Sequence, residues 1–277
     1  MIPKRIHYCW FGGNEMPEEA KACVASWHKY CPDCEIVRWD ETNFDVNCCD
    51  YVREAYAARK WAFVSDYARF MILYEHGGVY FDTDVELIKP LEPIIARGAF
   101  MGLEQSGGVE NSYCDVAPGL GLAGEAGTPF FREMLDYYES IHFMTADGSM
   151  NTATVVRYTT DMLKKYGLRN SPEVQQINGI TVYPPEYFSP LNFNTGELKI
   201  TENTYSIHHY AASWFTPMDW RILRIERKFS GRGTLVYNCG KMIALPLRLI
   251  RKLKNCGLKG TVSFLIKRMH GREGNSR

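Results

Sequence analysis

The spacing of apolar residues over the first 40 positions predicts strand, helix and strand in turn. Residues 2–8 predict a first strand, and Trp10–Gly13 turns off its end. Residues 17–30 predict a helix, because a proline occupies the first turn and small apolar residues follow. Residues 35–39 predict a second strand. Such a βαβ opening favours an α/β sheet that binds ligands at the carboxyl ends of its strands.

The most regular helical spacing of apolar residues lies in 63–76. Gly77 and Gly78 follow and predict the end of this helix, since glycine commonly terminates a last turn. Residues 79–81 then predict a short buried strand that runs directly into Asp82–Asp84. The two carboxylates are therefore expected at the end of a strand.

The apolar spacing in the rest of the chain is less regular, but it still predicts helices and strands. Residues 128–138 and 151–166 predict helices, and residues 180–183 and 204–208 predict strands. Beyond Pro217, interleaved apolar and basic residues predict a helical tail. We therefore expect an α/β domain over residues 1–217 and a basic, helical extension over 218–277.

Charge is unevenly distributed along the 277 residues, although the net charge is zero. Residues 221–277 contain 15 Lys or Arg and two acidic residues, so the preceding part is acidic. A basic tail on an acidic body favours a polyanionic partner. An anionic membrane surface fits best, because the tail lacks the interleaved aromatic residues and motifs of nucleic-acid-binding proteins.

The nine cysteines form no regular framework. Cys31 and Cys34 have the spacing of a redox motif or half a zinc site, but no second pair completes such a site. The chain lacks a signal-peptide pattern at its start and an apolar run of the roughly 20 residues that span a bilayer. We expect free thiols and a cytoplasmic protein that lies peripherally on the inner face of the membrane.

The Asp82–Asp84 pair is the strongest candidate for chemistry. Two carboxylates one residue apart suit Mg²⁺ or Mn²⁺, which a diphosphate can help to coordinate. A D-x-D pattern alone is equally typical of a surface turn. The apolar strand before it and the close approach allowed by Gly77 and Gly78 favour a ligand site.

Asp66 and Arg69 share one face of the predicted helix 63–76. They could form an ordinary ion pair, or they could hold sugar hydroxyls and phosphates, for which the guanidinium fork is suited. Trp10 at the mouth of the first strand could stack on a base or belong to the core. His208 and His209 could supply a metal ligand, or they could be ordinary polar residues without a ligand role.

Four ordered motifs together resemble glycosyltransferase family 32, the DXD sugar-binding family. This family includes capsular and lipopolysaccharide sugar transferases, and its core is related to that of the glucosylating clostridial toxins. The motifs are residues 2–12 (IPKRIHYCWFG), 62–69 (AFVSDYAR), 77–84 (GGVYFDTD), and His208-His209 with Ser213-Trp214.

The resemblance implies a GT-A fold, a Rossmann-like α/β domain with a central mixed sheet flanked by helices. It implies that Trp10 stacks on the donor base and that Trp214 closes over the diphosphate. The donor-binding residues implied are His7, Trp10, Ser65, Asp66, Arg69, Tyr80, Asp82, Ser213 and Trp214.

The resemblance also implies a metal-dependent hexosyltransferase that retains anomeric configuration, with Mn²⁺ or Mg²⁺ as its cofactor. The implied metal ligands are Asp84 and Asp82, completed by His208 or His209, and the implied catalytic residues are Asp82, Asp84, Arg69 and Asp66. The expected donor is a nucleotide-diphosphate sugar, most simply a UDP-sugar. The expected acceptor is a hydroxyl of a glycan or lipid-linked glycan in surface polysaccharide synthesis.

Two other classes of protein share part of this pattern. A D-x-D phosphatase would need Thr or Val two residues after the second Asp, where this chain has Glu86. A non-catalytic module that binds nucleotide sugars would keep the same pocket without turnover. No second carboxylate pair suggests a covalent intermediate, so we expect attack from the leaving-group side.

Overall fold

A computed structural model of the chain describes residues 1–105, 115–211, 216–229, 236, 238–251 and 253. Two compact units are present. The first comprises Met1–Asn192 and Glu197–Ala211, and the second comprises Phe193–Gly196 and the described residues of Ala212–Arg277. The expected boundary after residue 217 stays a prediction.

The strands are short, and all of them belong to the first unit. In chain order they are β1 Arg5–Cys9, β2 Glu35–Trp39, β3 Gly78–Tyr80, β4 Val85–Leu87, β5 Phe100–Glu104, β6 Asp115–Val116, β7 Leu122–Gly124, β8 Gln175–Ile177, β9 Ile180–Tyr183 and β10 Ser206–His208. The helices are α1 Glu18–Tyr30, α2 Asp50–Ala57, α3 Trp61–His76, α4 Glu92–Ile95, α5 Pro129–Glu139, α6 Val155–Lys165, α7 Pro185–Phe188 and α8 Pro217–Phe229.

The central sheet has the order β2-β1-β3-β7-β5-β9-β8, with β6 paired to β5. β1 is parallel to β2 and β3, whereas β7 is antiparallel to both β3 and β5. The sheet is therefore mixed, and β1, β3 and β5 end at the same edge. The predicted α/β class, with a mixed sheet flanked by helices, is confirmed.

Two apolar cores lie on the faces of this sheet. One contains the inner faces of α2, α3, α5 and α6, and the other contains Trp27 of α1 with Phe81, Phe100 and Phe188. β3 is buried along its whole length, so it carries no alternation of polar and apolar residues. The segment after β3 is thereby held against a rigid core.

Gly77 and Gly78 join α3 to β3 with positive φ angles of 64° and 111°. A Cβ on Gly78 would lie 2.9 Å from the carbonyl oxygen of Arg5 and 3.0 Å from Nε2 of His7. Only glycine combines such a backbone conformation with so close an approach. The predicted glycine stop therefore fixes where β3 enters the sheet and where the Asp82–Asp84 segment leaves it.

The second unit is described here by α8 and by helical residues 238–251. Arg248 pairs with Glu226, and Arg251 pairs with Asp219. No described helix is long and apolar enough to cross a bilayer. The seven cysteines in the described ranges are all free.

Candidate active site

The Asp82–Asp84 segment lies between two sheets. β3 ends at Tyr80 in the central sheet, and β4 begins at Val85 in a separate two-stranded sheet with β10. The backbone N–H of Asp82 donates to the carbonyl of Gly119 at 2.9 Å. The two carboxylates therefore stand where the chain passes from one sheet to the other, at the carboxyl end of β3.

β10 brings a histidine to this segment from more than 120 residues away. Antiparallel pairing places His208 opposite Val85, the residue after Asp84. Nε2 of His208 then lies 3.1 Å from Oδ1 of Asp84. One ligand atom each from Asp82, Asp84 and His208 lie within 4.8 Å of one another.

This group has the donor set of a divalent-cation site. Two carboxylates and one imidazole suit Mn²⁺ or Mg²⁺, with phosphate oxygens and water filling the remaining positions. Burial opposes ionisation of Asp84, but His208 and the N–H of Ala211 outweigh it and lower its pKa to about 2. The carboxylate is therefore held in the form that coordinates a cation.

His209 points away from the group. Its Nε2 lies 2.8 Å from Oε2 of Glu86, and its side chain is exposed. Its backbone N–H donates to the carbonyl of Asp84 at 2.9 Å. Of the two histidines singled out by sequence, the structure brings His208 to the carboxylates and uses His209 to fix the backbone.

Arg69 stands behind Asp82 and links it to α3. Its Nη2 lies 3.0 Å from Oδ1 of Asp66 and 3.4 Å from Oδ1 of Asp82, and its Nε donates to the carbonyl of Ser65. Its guanidinium lies over the ring of Tyr80, 4.9 Å from the centroid. Arg69 and Asp66 are both buried, so this is not the surface ion pair that spacing alone allows.

Asp66 and Tyr80 complete this support. Burial raises the pKa of Asp66 to about 6, against the lowering effect of the Arg69 charge. The hydroxyl of Tyr80 donates to Oδ1 of Asp82 at 3.1 Å. Asp82 thus accepts a hydrogen bond from the Tyr80 hydroxyl and faces the Arg69 guanidinium, whereas Asp84 faces the His208 imidazole.

His7 lies in the interior with both ring nitrogens in use. The indole N–H of Trp39 donates to its Nδ1 at 3.0 Å, so Nε2 carries the proton and donates to the carbonyl of Gly77 at 3.0 Å. A contact between this ring and a bound nucleotide sugar would break one of these two hydrogen bonds. His7 therefore secures β1 to the start of β3, and its donor-binding role has no support from these contacts.

The other residues implied by the resemblance lie at the same sheet edge or outside the described ranges. Trp10 follows β1, is partly buried, and donates from its indole to the carbonyl of Asn14 at 2.7 Å. The hydroxyl of Ser65 donates to the carbonyl of Trp61 at 3.1 Å. Ser213 and Trp214 lie outside the described residues.

Sequence reasoning missed three residues of this site. Glu104 ends β5 at the same edge as Asp82, and burial raises the pKa of its carboxyl to about 7. The ring of Tyr210 lies 4.1 Å from that of His208. Gly119 lies directly against Asp82, where an added Cβ would stand 1.8 Å from Oδ2. Knowing that β5 runs parallel to β3 would have pointed to Glu104.

Comparisons with known proteins match the part of the chain that contains Asp82 and Asp84. The model of the family described as "Glycosyltransferase sugar-binding region containing DXD motif" matches residues 17–101. Inositol phosphoceramide mannosyltransferase 3 of Schizosaccharomyces pombe is 32% identical over 122 residues, which are 43% of this chain and 34% of that protein. The chain thus spans about a third of the length of that relative.

A second relative matches along most of its length. The uncharacterized glycosyltransferase L373 of Acanthamoeba polyphaga mimivirus is 25% identical over 249 residues, 83% of this chain and 90% of that protein. A solved glycosyltransferase involved in glycosylation of the major capsid of PBCV-1 covers 75% of this chain and 94% of its own, at 11% identity and a TM-score of 0.41. Residues 17–101 therefore match the glycosyltransferase sugar-binding region containing the DXD motif, and the resemblance that the sequence motifs indicate is confirmed over this part of the chain.

Proposed function

We propose that this chain is a metal-dependent, retaining glycosyltransferase that moves a hexose from a nucleotide-diphosphate sugar to a hydroxyl of a glycan or lipid-linked glycan. The observation that carries the proposal is the convergence of His208 with Asp82 and Asp84, which lie in the matched sugar-binding region together with buried Arg69. This site combines ligands for a cation with a nearby positive charge for phosphate.

The protein groups divide the work of binding and stabilisation. A divalent cation held by Asp82, Asp84 and His208 would neutralise charge on the departing diphosphate. Arg69 orients Asp82, and its charge favours an anion at the mouth of the site. Attack from the leaving-group side would retain the anomeric configuration and bring the acceptor hydroxyl next to the leaving phosphate oxygen. The acceptor proton is therefore expected to pass to that oxygen.

The donor is expected to be a UDP-sugar, with Trp10 as its stacking surface. Because the relative from S. pombe is named a mannosyltransferase, the test panel includes mannosyl donors on guanosine as well as uridine diphosphate. Each donor is incubated with and without MnCl₂, and released nucleotide diphosphate and free sugar are measured by chromatography. We expect slow release of both products from one donor, and only with metal.

Two variants make this assay decisive. Asp84→Asn should abolish the metal-dependent release, whereas Glu86→Gln, two residues further along the chain in β4, should leave it unchanged. The anomer first formed, observed by proton NMR, should match that of the donor. Donor binding without turnover would contradict the proposed enzyme, and release of inorganic phosphate from generic phosphoesters would favour a phosphatase.

We also propose that the second unit rests on an anionic membrane surface. On helical residues 238–251 and just beyond, Met242, Ile243, Ile250 and Leu253 recur on one face, and their exposed fractions range from 41% to 63%. Ala244 is buried. Arg248 and Arg251, on the other side of the helix, pair with α8. An apolar face in a strongly basic segment suits insertion among anionic lipid headgroups.

Sedimentation with vesicles tests this second proposal. The full chain should pellet with vesicles containing phosphatidylglycerol and much less with pure phosphatidylcholine. The double variant Ile243→Asp, Ile250→Asp should lose this binding. The matched control Val174→Asp, Ile200→Asp changes two comparably exposed apolar residues of the first unit and should still pellet. Equal binding by the two double variants would contradict the membrane proposal.

A further inference from the structure

His208 offers only one of its ring nitrogens to the three-ligand group. Its Nε2 faces Asp84, whereas its Nδ1 is buried and has no hydrogen-bond partner among the described residues. A buried polar nitrogen without a partner costs free energy, so it calls for an explanation. Histidines that ligate metals usually direct their second nitrogen to a carboxylate, a carbonyl or water, which fixes the tautomer and the ring orientation.

Tyr210 holds the plane of this imidazole. The two ring centroids are 4.1 Å apart, with 50° between the planes. Tyr210 has a φ of 53°, a left-handed conformation that is strained for a residue with a side chain. The chain on either side is fixed to Asp84, because His209 N–H donates to its carbonyl and Ala211 N–H donates to its Oδ2 at 2.8 Å. The strained residue is thus held with its ring against the candidate metal ligand.

Glu104 approaches the same imidazole from β5. The hydroxyl of Tyr210 bonds to the Glu104 carboxylate and also lies 2.7 Å from Oγ of buried Ser189. His208 and Glu104 interact electrostatically, and the like charge of Asp115 also faces Glu104. The tyrosine that packs on His208 therefore also bonds to a buried carboxyl group that interacts electrostatically with that histidine.

We propose that Glu104 is a positioning residue for the metal ligand His208, with Tyr210 orienting both side chains. The proposal rests on the proposed function, since it concerns how the same site binds its cation. When Nε2 gives its lone pair to a divalent cation, the one remaining ring proton must lie on Nδ1, and the displaced Nε2 proton passes to solvent. We expect the negative charge of ionised Glu104 to favour this Nδ1–H tautomer of His208.

Titration of the purified protein with MnCl₂ by calorimetry tests the role without any turnover. Glu104→Gln should weaken Mn²⁺ binding about tenfold or more, as loss of such an outer carboxylate does in other metal sites. Glu104→Asp should recover part of the affinity. Glu86→Gln is the matched control, because Glu86 bonds to the neighbouring His209 outside the ligand group, and it should bind like the wild type.

Long-range proton–nitrogen NMR of the imidazoles in the metal-free protein supplies a readout that a purely structural role would not move. The Nδ1–H tautomer of His208 should make up a larger fraction in the wild type than in Glu104→Gln, at unchanged unfolding temperature. Tyr210→Phe keeps the ring, removes the hydroxyl, and should shift this fraction in the same direction.

Several results would overturn the inference. They are Mn²⁺ affinity of Glu104→Gln within twofold of the wild type, equal weakening by Glu86→Gln, or an unchanged tautomer in the NMR spectra. Asp84→Asn separates this inference from the function itself. If Asp84→Asn leaves Mn²⁺ binding intact, the proposed metal site fails; if it abolishes binding while Glu104→Gln does not, only the role of Glu104 fails.

Discussion

Asp82 and Asp84 have different surroundings although one residue separates them. Arg69 and the hydroxyl of Tyr80 already face Asp82, so its charge is partly balanced within the protein. Asp84 is balanced by His208, which a cation can replace as the neutralising charge. The resemblance implies both a metal and a donor-binding role for Asp82, but only a metal role for Asp84. That division remains a prediction for a ligand-bound protein.

Gly119 provides a test of how tightly Asp82 is held. In Gly119→Ala the new methyl would meet Oδ2 of Asp82 at 1.8 Å and must displace the carboxylate. A displacement of about 1 Å at a reacting centre can cost about a hundredfold in rate. We therefore expect Gly119→Ala to lower donor turnover about a hundredfold while the circular dichroism spectrum stays unchanged.

A double-mutant cycle checks the cause of that loss. If Gly119→Ala acts by moving the Asp82 carboxylate, it should have little further effect in an Asp82→Ala background. Additive losses in the two backgrounds would show that the methyl acts elsewhere, most simply on β7 or β3 packing.

His7 makes a residue-scale prediction about pH. Burial lowers the pKa of His7 from 6.5 to about 4, and its protonation would set Nδ1–H against the indole N–H of Trp39. The unfolded chain therefore binds this proton more readily than the folded protein does. The stability that the neutral His7 ring contributes is fully present above pH 6.5 and is lost as the pH falls toward 4. The difference corresponds to about 3 kcal/mol.

Urea unfolding of the wild type and His7→Gln at pH 7.5, 5.5 and 4.5 measures this effect. Other groups, including Asp66, titrate in both proteins, so the difference between the two isolates His7. As the pH is lowered, the free energy of unfolding should fall more steeply for the wild type than for His7→Gln. Parallel curves would contradict the assignment of the neutral, Nε2-protonated ring.

Some site residues cannot be identified from the sequence at this scale. Asp82, Asp84, Asp66 and Arg69 stand in local motifs that carry their own signal. Glu104 stands alone at the end of a short strand, and Tyr210 is an ordinary aromatic residue two positions after His208. Their relation to the site depends on side-chain contacts across β5 and β10 rather than on any spacing along the chain.

At the scale of elements, the pairing of β4 with β10 builds the candidate metal group. β10 lies about 120 residues after β4, and the register His208–Val85 sets the imidazole beside Asp84. His209 lies one residue past the end of β10, and its side chain reaches Glu86 instead. One residue of register thus decides which histidine can ligate.

A pair of adjacent variants tests this register. His208→Ala removes a proposed ligand and should weaken Mn²⁺ binding by more than the roughly tenfold cost of losing an outer partner. His209→Ala removes only the exposed contact to Glu86 and should change Mn²⁺ affinity less than twofold. The measurement is calorimetric titration of both variants with MnCl₂. A stronger effect of His209→Ala would contradict the register.

The sequence predicted the longer elements better than the short ones. α1, α3 and β2 were recognisable because proline or glycine marks a boundary or because apolar residues recur with a clear period. β4, β5 and β7 have three to five residues, too few to show a clear period, and β5 and β7 are buried along all or nearly all of their length, so they lack alternation. Their order in the sheet comes from long-range pairing, which no local pattern encodes.

At the scale of the whole molecule, an acidic unit carries the candidate site and a basic unit carries an exposed apolar helix face. The proposed cation ligands, Arg69 and Glu104 all lie in the first unit. The exposed face of 242–253 lies in the second. Catalysis and membrane attachment are therefore expected to be separable, so that variants at Ile243 and Ile250 leave donor hydrolysis in solution unchanged.

The most direct test of the central claim is the coupling between metal and nucleotide sugar, measured as thermal stabilisation of the full chain. A ligand that binds only the folded state raises its stability with ligand concentration. We predict that one nucleotide-diphosphate sugar raises the unfolding temperature when MnCl₂ is present, that the rise disappears with a chelator, and that Asp84→Asn abolishes it. Stabilisation by the sugar nucleotide that is equal with and without metal, or that survives in Asp84→Asn, would contradict the account.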